Sequence, residues 1–565
     1  MGLARGSDPR LQGHGGAALP LGLAMVVWVL PHLAHAQDQR PSENDMFGGS
    51  SDGKPPEGKP ADAKPARTLP ASPDQQAQPQ PGARSTDAPP EPASSAGQAA
   101  APPAEPPAAA ASAGGARDQA LLGTPDAGPQ LSSDIAPDNP LTIGGQLYLR
   151  TQSSGLQHTY PDRWSLSSPN LLDTYFDARP NDRVRAFIRG RVSYDPTAPP
   201  SAGTAVPGSS GGALAGGSAT GFTTLNAGRG PNAVLDQMWI AFDIEHAVFV
   251  TAGKQHVKWG TGRFWTPTDF LHPVKRNPLD VFDARPGTTL VKLHVPWEAR
   301  AWNFYAFGVI EDPNTASNTL RQVAGAGRAE LVEGPAELGL DFLVKRDQQP
   351  KVGADLSIGV GDFDLYTDVG LRAGSEINIV NQVGPVPLRM CGDGTMVPDY
   401  ANASRAYTVT PTSGIKPQVV GGLTWARKYN DNDVLTIGGE YFYNSVGYAD
   451  PAIYPGLFLE NQLNFFYTGR HYAAVFASLP APYSWNYTNF TLSTIGNLSD
   501  RSFVTRLDYS VTLLTHLTFE AFAGVHYGHV GGEFRLGFPT CDASGNYVQA
   551  QPPLVDLGVA LRLKI

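Results

Sequence analysis

From residue 141 onward, apolar and polar positions alternate at period two in segment after segment. In Val352-Ala354-Leu356-Ile358-Val360 the intervening residues are Gly353, Asp355, Ser357 and Gly359. The last segment sets Val555, Leu557, Val559, Leu561, Leu563 and Ile565 against Asp556, Gly558, Ala560, Arg562 and Lys564. Successive side chains of a strand point to opposite faces, so each segment has one apolar face and one face of charges and glycines. Nine such segments lie at about 141–152, 166–178, 182–195, 233–245, 247–258, 286–296, 299–310, 324–334 and 336–347. Nine more follow at about 349–361, 362–373, 415–428, 433–445, 470–479, 484–497, 501–514, 516–530 and 554–565.

The spacing sorts the connections into two kinds. Alternate ones are tight, such as Arg179-Pro180-Asn181, Glu245-His246, Asn430-Asp431-Asn432 and Thr515. The others include the long runs 196–232, 259–285, 374–414, 446–469 and 531–553. A soluble sandwich also alternates, but its loops tend to be short at both ends. An even strand number, with tight turns on one side and long loops on the other, is the pattern of an outer-membrane barrel. The expected fold is therefore all-β, a transmembrane antiparallel β-barrel of about 18 strands over 141–565. Trp164, Trp239, Trp302, Trp425, Trp485, Tyr441 and Tyr443 lie near segment ends, where interfacial girdles are expected.

The chain before residue 141 is of another kind. Arg5 and Arg10 precede an apolar run at 17–30, and Ala34-His35-Ala36 supplies the small residues of a cleavage site. Residues 1–36 are thus expected to be a secretory signal peptide. Residues 37–140 hold 20 Pro and a single aromatic, Phe47, too little apolar surface to offset the entropy of ordering them. They are expected to form a disordered Pro/Ala-rich periplasmic linker that reaches peptidoglycan or tethers a periplasmic protein. The whole chain carries 42 Lys+Arg against 52 Asp+Glu, a net charge of −10, so nucleic acid is not an expected partner. Outer-membrane lipid and a small polar solute are.

With the apolar faces turned to lipid, the polar faces line the interior, and about 18 strands enclose more space than side chains fill. Arg183, Arg185, Arg189 and Arg191 share one face of a segment with Phe187, and the preceding segment points Asp173, Tyr175 and Asp177 the same way. Four guanidinium groups on one face suit a pore-lining basic ladder that holds carboxylates or phosphates. They equally suit a cross-strand salt-bridge lattice, and both readings stand. Acidic pore-lining positions are expected at Asp341, Asp355, Asp364, Asp368, Glu440 and Asp508, which would set a transverse field across the bore.

The connection 259–285 is the densest constellation. It combines Trp259, Phe264, Trp265 and Phe270 with Arg263, Asp269, His272, Lys275 and Arg276. Such a loop either folds into the bore as a constriction or packs over the barrel mouth. Cys391 and Cys541 fall in two other long loops, where an oxidising export route permits a disulfide; two unrelated thiols are the alternative.

The run Gly253-Lys254-Gln255-His256-Val257-Lys258-Trp259-Gly260, followed by Thr266-Pro267-Thr268-Asp269, resembles the strand-then-loop pattern of porin-like barrels of Gram-negative outer membranes. It is similar to the eighteen-stranded types, such as alginate-export and carboxylate porins. That resemblance implies passage of small polar solutes, or export of a polymer, across the outer membrane.

Catalysis finds little support. Gly208-Ser209-Ser210-Gly211-Gly212 matches G-x-S-x-G but lacks the strand-turn-helix context that exposes a nucleophile. The histidines are scattered without metal-ligand spacing, and no phosphate-binding glycine motif occurs. No catalytic residue, metal or cofactor is expected. A channel is the favoured class, ahead of a scaffold acting through the Pro-rich arm and of a barrel hydrolase.

Overall fold

The structure, a computed structural model, describes residues 140–565 except 199–228, 273, 281–282, 284, 311–319, 431–432, 461, 484, 542–544 and 550. The expectations for 1–36 and 37–139, for most of 196–232 with its Gly208–Gly212 run, and for turn residues Asp431 and Asn432 lie outside the described residues.

The wall begins with β1 (Leu141–Leu156), β2 (Asn170–Asn181), β3 (Val184–Tyr194), β4 (Asn232–Ile244), β5 (Val248–Gln255) and β6 (Thr288–Trp297). It continues through β7 (Trp302–Val309), β8 (Ala324–Glu333), β9 (Ala336–Val344), β10 (Lys351–Val360), β11 (Phe363–Ala373) and β12 (Ile415–Lys428). The last third is β13 (Val434–Asn444), β14 (His471–Pro480), β15 (Thr488–Asn497), β16 (Ser502–Leu514), β17 (Leu517–Gly528) and β18 (Pro553–Lys564). Each strand pairs antiparallel with the next. β1 also pairs antiparallel with β18, in the register Gln146↔Lys564, and this closes the ring. A closed ring leaves no unpaired backbone edge, which is the condition for a sheet to sit in hydrocarbon.

Alternation along the strands turns into an inside and an outside. Leu557, Val559, Leu561 and Leu563 of β18 are exposed on the outer face, whereas Asp556, Ala560 and Arg562 are buried within. On β3, Ile188 and Val192 face out while Arg189 and Arg191 face in. Tight turns lie on one side of the barrel; Glu245 and His246 close one of them with φ of +52° and +54°, whose twist matches that of the flanking strands. The eighteen strands correspond to the eighteen expected segments, with ends moved by a few residues. β2 starts late because Ser165–Ser167 folds back to pair with Gln152–Ser154 of β1. One expectation is corrected: Trp239 is no girdle residue but faces inward, stacked on Phe187 at 5.4 Å.

On the other side, three long loops fold together into a cap. They carry the hairpins Asn378–Gln382 with Tyr407–Pro411, Leu388–Met390 with Met396–Pro398, and Pro539–Cys541 with Tyr547–Gln549. Val380, Ala403, Ala406, Tyr407, Tyr454, Leu457, Leu463 and Leu536 form an apolar core between them. Cys391 and Cys541 are joined by a disulfide, which ties the first of these loops to the last.

Candidate functional site

Residues 256–287 leave β5 and enter the barrel. The loop reaches strands far around the ring from its origin, and each contact is specific. Glu440 of β13 accepts the backbone N–H groups of Arg263 (2.7 Å), Phe264 (3.2 Å) and Trp265 (2.9 Å), and the Tyr366 hydroxyl at 3.0 Å. Asp368 of β11 accepts the N–H and the hydroxyl of Thr268, at 3.2 and 3.1 Å. Arg506 of β16 donates to the Leu279 carbonyl at 2.8 Å. Of the two placements the sequence left open, the loop occupies the bore.

Its aromatic residues explain why it stays there. Trp265 stacks on Phe442 at 5.4 Å and tilts against Tyr472 at 5.6 Å. Phe264 lies 6.0 Å from Phe476, and the Arg263 guanidinium sits 3.8 Å above the Phe476 ring. Val420, Ile495 and Val504 complete this floor, which is apolar although it faces the lumen. Nearer its origin, Trp259 packs against Phe307 and Phe270. Beneath the Pro267-Thr268 stretch, Gly353 and Gly370 face each other across β10 and β11. A β-carbon on either would lie 2.6 Å from the loop, so the wall is flat where the loop rests.

The return half of the loop is charged. His256 Nε2 meets Asp236 Oδ1 at 3.0 Å, and the His256 ring stacks on His272 at 5.9 Å. His272 Nδ1 in turn meets Asp269 Oδ1 at 2.9 Å, and Arg285 bridges Asp269 (3.1 Å) and Asp283 (2.6 Å). Against the burial that would raise it, His272 and Arg285 hold the Asp269 carboxyl well below the usual carboxylate range. Burial, and then the Arg372 charge, pushes the half-buried Lys275 ammonium down to about 7. The Arg276 carbonyl accepts the Tyr467 hydroxyl from the cap side, at 3.2 Å.

The arginines of β3 form a lattice with neighbouring carboxylates. Arg185 pairs with Asp177 at 2.8 Å, Arg191 with Asp173 at 2.9 Å, and Arg189 with Asp236 at 3.5 Å. Arg183 departs from the expected ladder: it lies in the β2–β3 turn, exposed, paired with Asp243 at 3.1 Å. Asp236 was not among the expected residues. It occupies a bulge where β4 shifts register against β3, and this turns its carboxylate inward between Arg189 and Arg191. The signal in the sequence is the broken alternation Leu235-Asp236-Gln237-Met238.

The acidic positions are likewise engaged. Arg328, another residue missed in the sequence, bridges Asp341 and Asp355 at 2.8 Å each. Asp364 accepts the Ser357 hydroxyl at 3.1 Å, and Asp508 pairs with Arg506. Asp368 and Glu440 lie beneath the loop instead of lining an open bore. Charges of both signs are thus interleaved locally, so among the described residues the separate basic and acidic arcs expected across the lumen do not form. On β1, Arg150 is buried with its guanidinium 4.7 Å from the Phe522 ring, which Arg506 also approaches at 4.3 Å.

A closed eighteen-strand antiparallel ring with an apolar exterior, a polar interior and a loop folded into the bore is a porin-like β-barrel of the outer-membrane type. No family description matches the chain, and no curated protein matches it. Among solved structures the chain is similar to OccK11 (OpdR) of Pseudomonas aeruginosa, at 9% identity and a TM-score of 0.39, over 75% of this chain and 96% of that one. OccAB4 of Acinetobacter baumannii is similar at 6% identity and a TM-score of 0.42, over 76% and 100%. A triple mutant of the Rhodopseudomonas blastica porin is similar at 10% identity and a TM-score of 0.33, over 75% and 100%. The assignment of the barrel rests on the strand pairing itself.

Proposed function

We propose that the chain is a channel of a Gram-negative outer membrane for small polar or charged solutes. The observation that carries this reading is the inward loop: a barrel this wide would pass large molecules, and the loop takes up part of its bore. The capped side then faces outward and the tight turns face the periplasm. The narrowing favours small solutes over a polymer. In the same reading, residues 1–36 direct export, and the arm 37–140 extends into the periplasm, where peptidoglycan or a periplasmic protein is its partner.

Planar bilayers test the reading. The folded protein is expected to give discrete conductance steps, and the chain lacking 37–139 to give the same steps. A protein that inserts, runs as a folded barrel and gives no step in any salt would end the channel reading.

A further inference from the structure

The cap and the inward loop meet at one short segment, residues 464–468 of the β13–β14 connection. Phe465 packs against both the cap core and the lumen floor. Phe466 is buried with φ at +70°, a conformation that a non-glycine residue keeps only where its surroundings fix it. Its N–H donates to Glu533 of the last cap loop, its ring lies 5.3 Å from Phe534, and its carbonyl accepts Trp265 Nε1 at 2.9 Å. One residue on, the Tyr467 hydroxyl donates to the Arg276 carbonyl. The Glu533 carboxylate also accepts the Tyr472 hydroxyl at 2.6 Å and Asn497 Nδ2 at 2.8 Å. The segment therefore touches cap, barrel rim and inward loop together.

The last cap loop is held at its base, where the N–H groups of Glu533 and Phe534 donate to Asp500 and Ser502 of the barrel rim, and at its far end by the disulfide. Glu533 seats it on this segment, and the Cys391–Cys541 bridge staples it to the loop after β11, across a sequence separation of 150. Gly392 N–H donates to the Gly545 carbonyl at 2.6 Å beside the bridge. A cross-link between residues so far apart removes much of the freedom that an opened cap would gain.

We propose that the cap is a redox-sensitive external handle on the inward loop. Through the chain bridge, Glu533, Phe466 and Trp265, an intact disulfide keeps Trp265 in its seat, and reduction loosens the loop inside the barrel. A dithiol supplies the two electrons and two protons, leaving Cys391 and Cys541 as thiols and itself becoming a cyclic disulfide. The effect on permeation rests on the channel reading above; the mechanical coupling does not.

Hydrogen exchange on the full-length folded protein reads the coupling directly, at the amides of 263–266 and 268 (Pro267 has none), with and without dithiothreitol. A coupling of about 1–3 kcal/mol corresponds to exchange faster by about fivefold or more after reduction. The Cys391→Ser, Cys541→Ser double variant is expected to show the fast rate and no response to dithiothreitol. Trp265→Phe keeps an aromatic ring in the floor but loses the donor to Phe466, and is expected to make exchange in 263–268 independent of the bridge. Unchanged exchange at 263–268 when both thiols label stoichiometrically would overturn the proposal, as would an undiminished response in Trp265→Phe. Faster exchange from a protein that gives no conductance would uphold the coupling and defeat the channel reading instead.

Discussion

Glu440 is the most consequential single side chain in the lumen, and removing its carboxylate has a calculable effect. It accepts three consecutive backbone N–H groups, at 263, 264 and 265, and the Tyr366 hydroxyl. At the lower figure of about 1 kcal/mol for each of the three bonds from the loop (Tyr366 belongs to the wall), Glu440→Ala costs the loop roughly 3 kcal/mol of anchoring. Since each 1.4 kcal/mol is tenfold, the unseated form gains roughly a hundredfold in population. Phe264 and Trp265 remain seated in their apolar floor, and full burial contributes about 1.5–3 kcal/mol for a side chain of this kind. The loop is therefore expected to flicker out of place, with the seated form still favoured. In single-channel recordings this predicts brief excursions to a higher conductance, absent from the parent protein. Exchange at the amides of 263–265 should accelerate by about two orders of magnitude, while Glu440→Gln, which keeps one acceptor oxygen, falls between. A quiet trace and parental exchange rates, in a variant that still runs as a folded barrel, would refute the idea that Glu440 holds the loop.

The alternation of apolar and polar residues made the wall legible because the membrane imposes it. Hydrocarbon outside tolerates no charge, so every strand from Leu141 to Lys564 repeats one pattern, and the strand count and the two sides of the barrel follow. The interior obeys no such single rule. Whether an inward residue meets water or protein depends on where a loop comes to rest, and that is a long-range fact. Tyr441-Phe442-Tyr443 and Ala474-Val475-Phe476 are apolar on both faces, which in hindsight marks the floor under Trp265. The glycines at 353 and 370 look like any other strand glycine until Thr268 is laid across them. The cap escaped for a similar reason: its core draws residues from three loops with no shared period, and only the cysteines announced that two of those loops meet.

Two further outcomes are expected. Replacing Arg185 by Gln leaves Asp177 with Arg179 alone, at 3.5 Å, and should shift the reversal potential in a salt gradient toward cations, while Asp177→Asn should shift it toward anions by a similar amount. An effect of the arginine variant alone would restore the basic-ladder reading. At the base of the cap, burial and then the nearby Asp500 raise the Glu533 carboxyl to about 8. A raised carboxyl binds a proton in the packed cap that it has lost in the opened one, so this contribution is greatest below about pH 4.5 and declines until about pH 8. Protease nicking of 531–541 should accordingly quicken over that interval and level off above it, and Glu533→Gln should flatten the profile.

The pairing of the lumen charges changes what selectivity can mean for this barrel. A ladder of four arginines against two aspartates would carry an excess of positive charge and attract anions on that ground alone. The bulge at Asp236 adds a third carboxylate to the patch, and the turn hands Arg183 to Asp243, so three guanidinium groups of β3 face three carboxylates, with Arg179 as a further cation 3.5 Å from Asp177. A patch balanced in this way has a weak field beyond the Debye length of about 8 Å at physiological salt. Unsatisfied charge remains in the wall itself, away from β3. Arg150 carries such a charge: it is buried against Phe522, and its Nε and Nη2 have no hydrogen-bond partner among the described residues. Counting charges along β3 therefore points to a near-balanced wall, and the charge the pairing leaves over lies elsewhere, buried at Arg150.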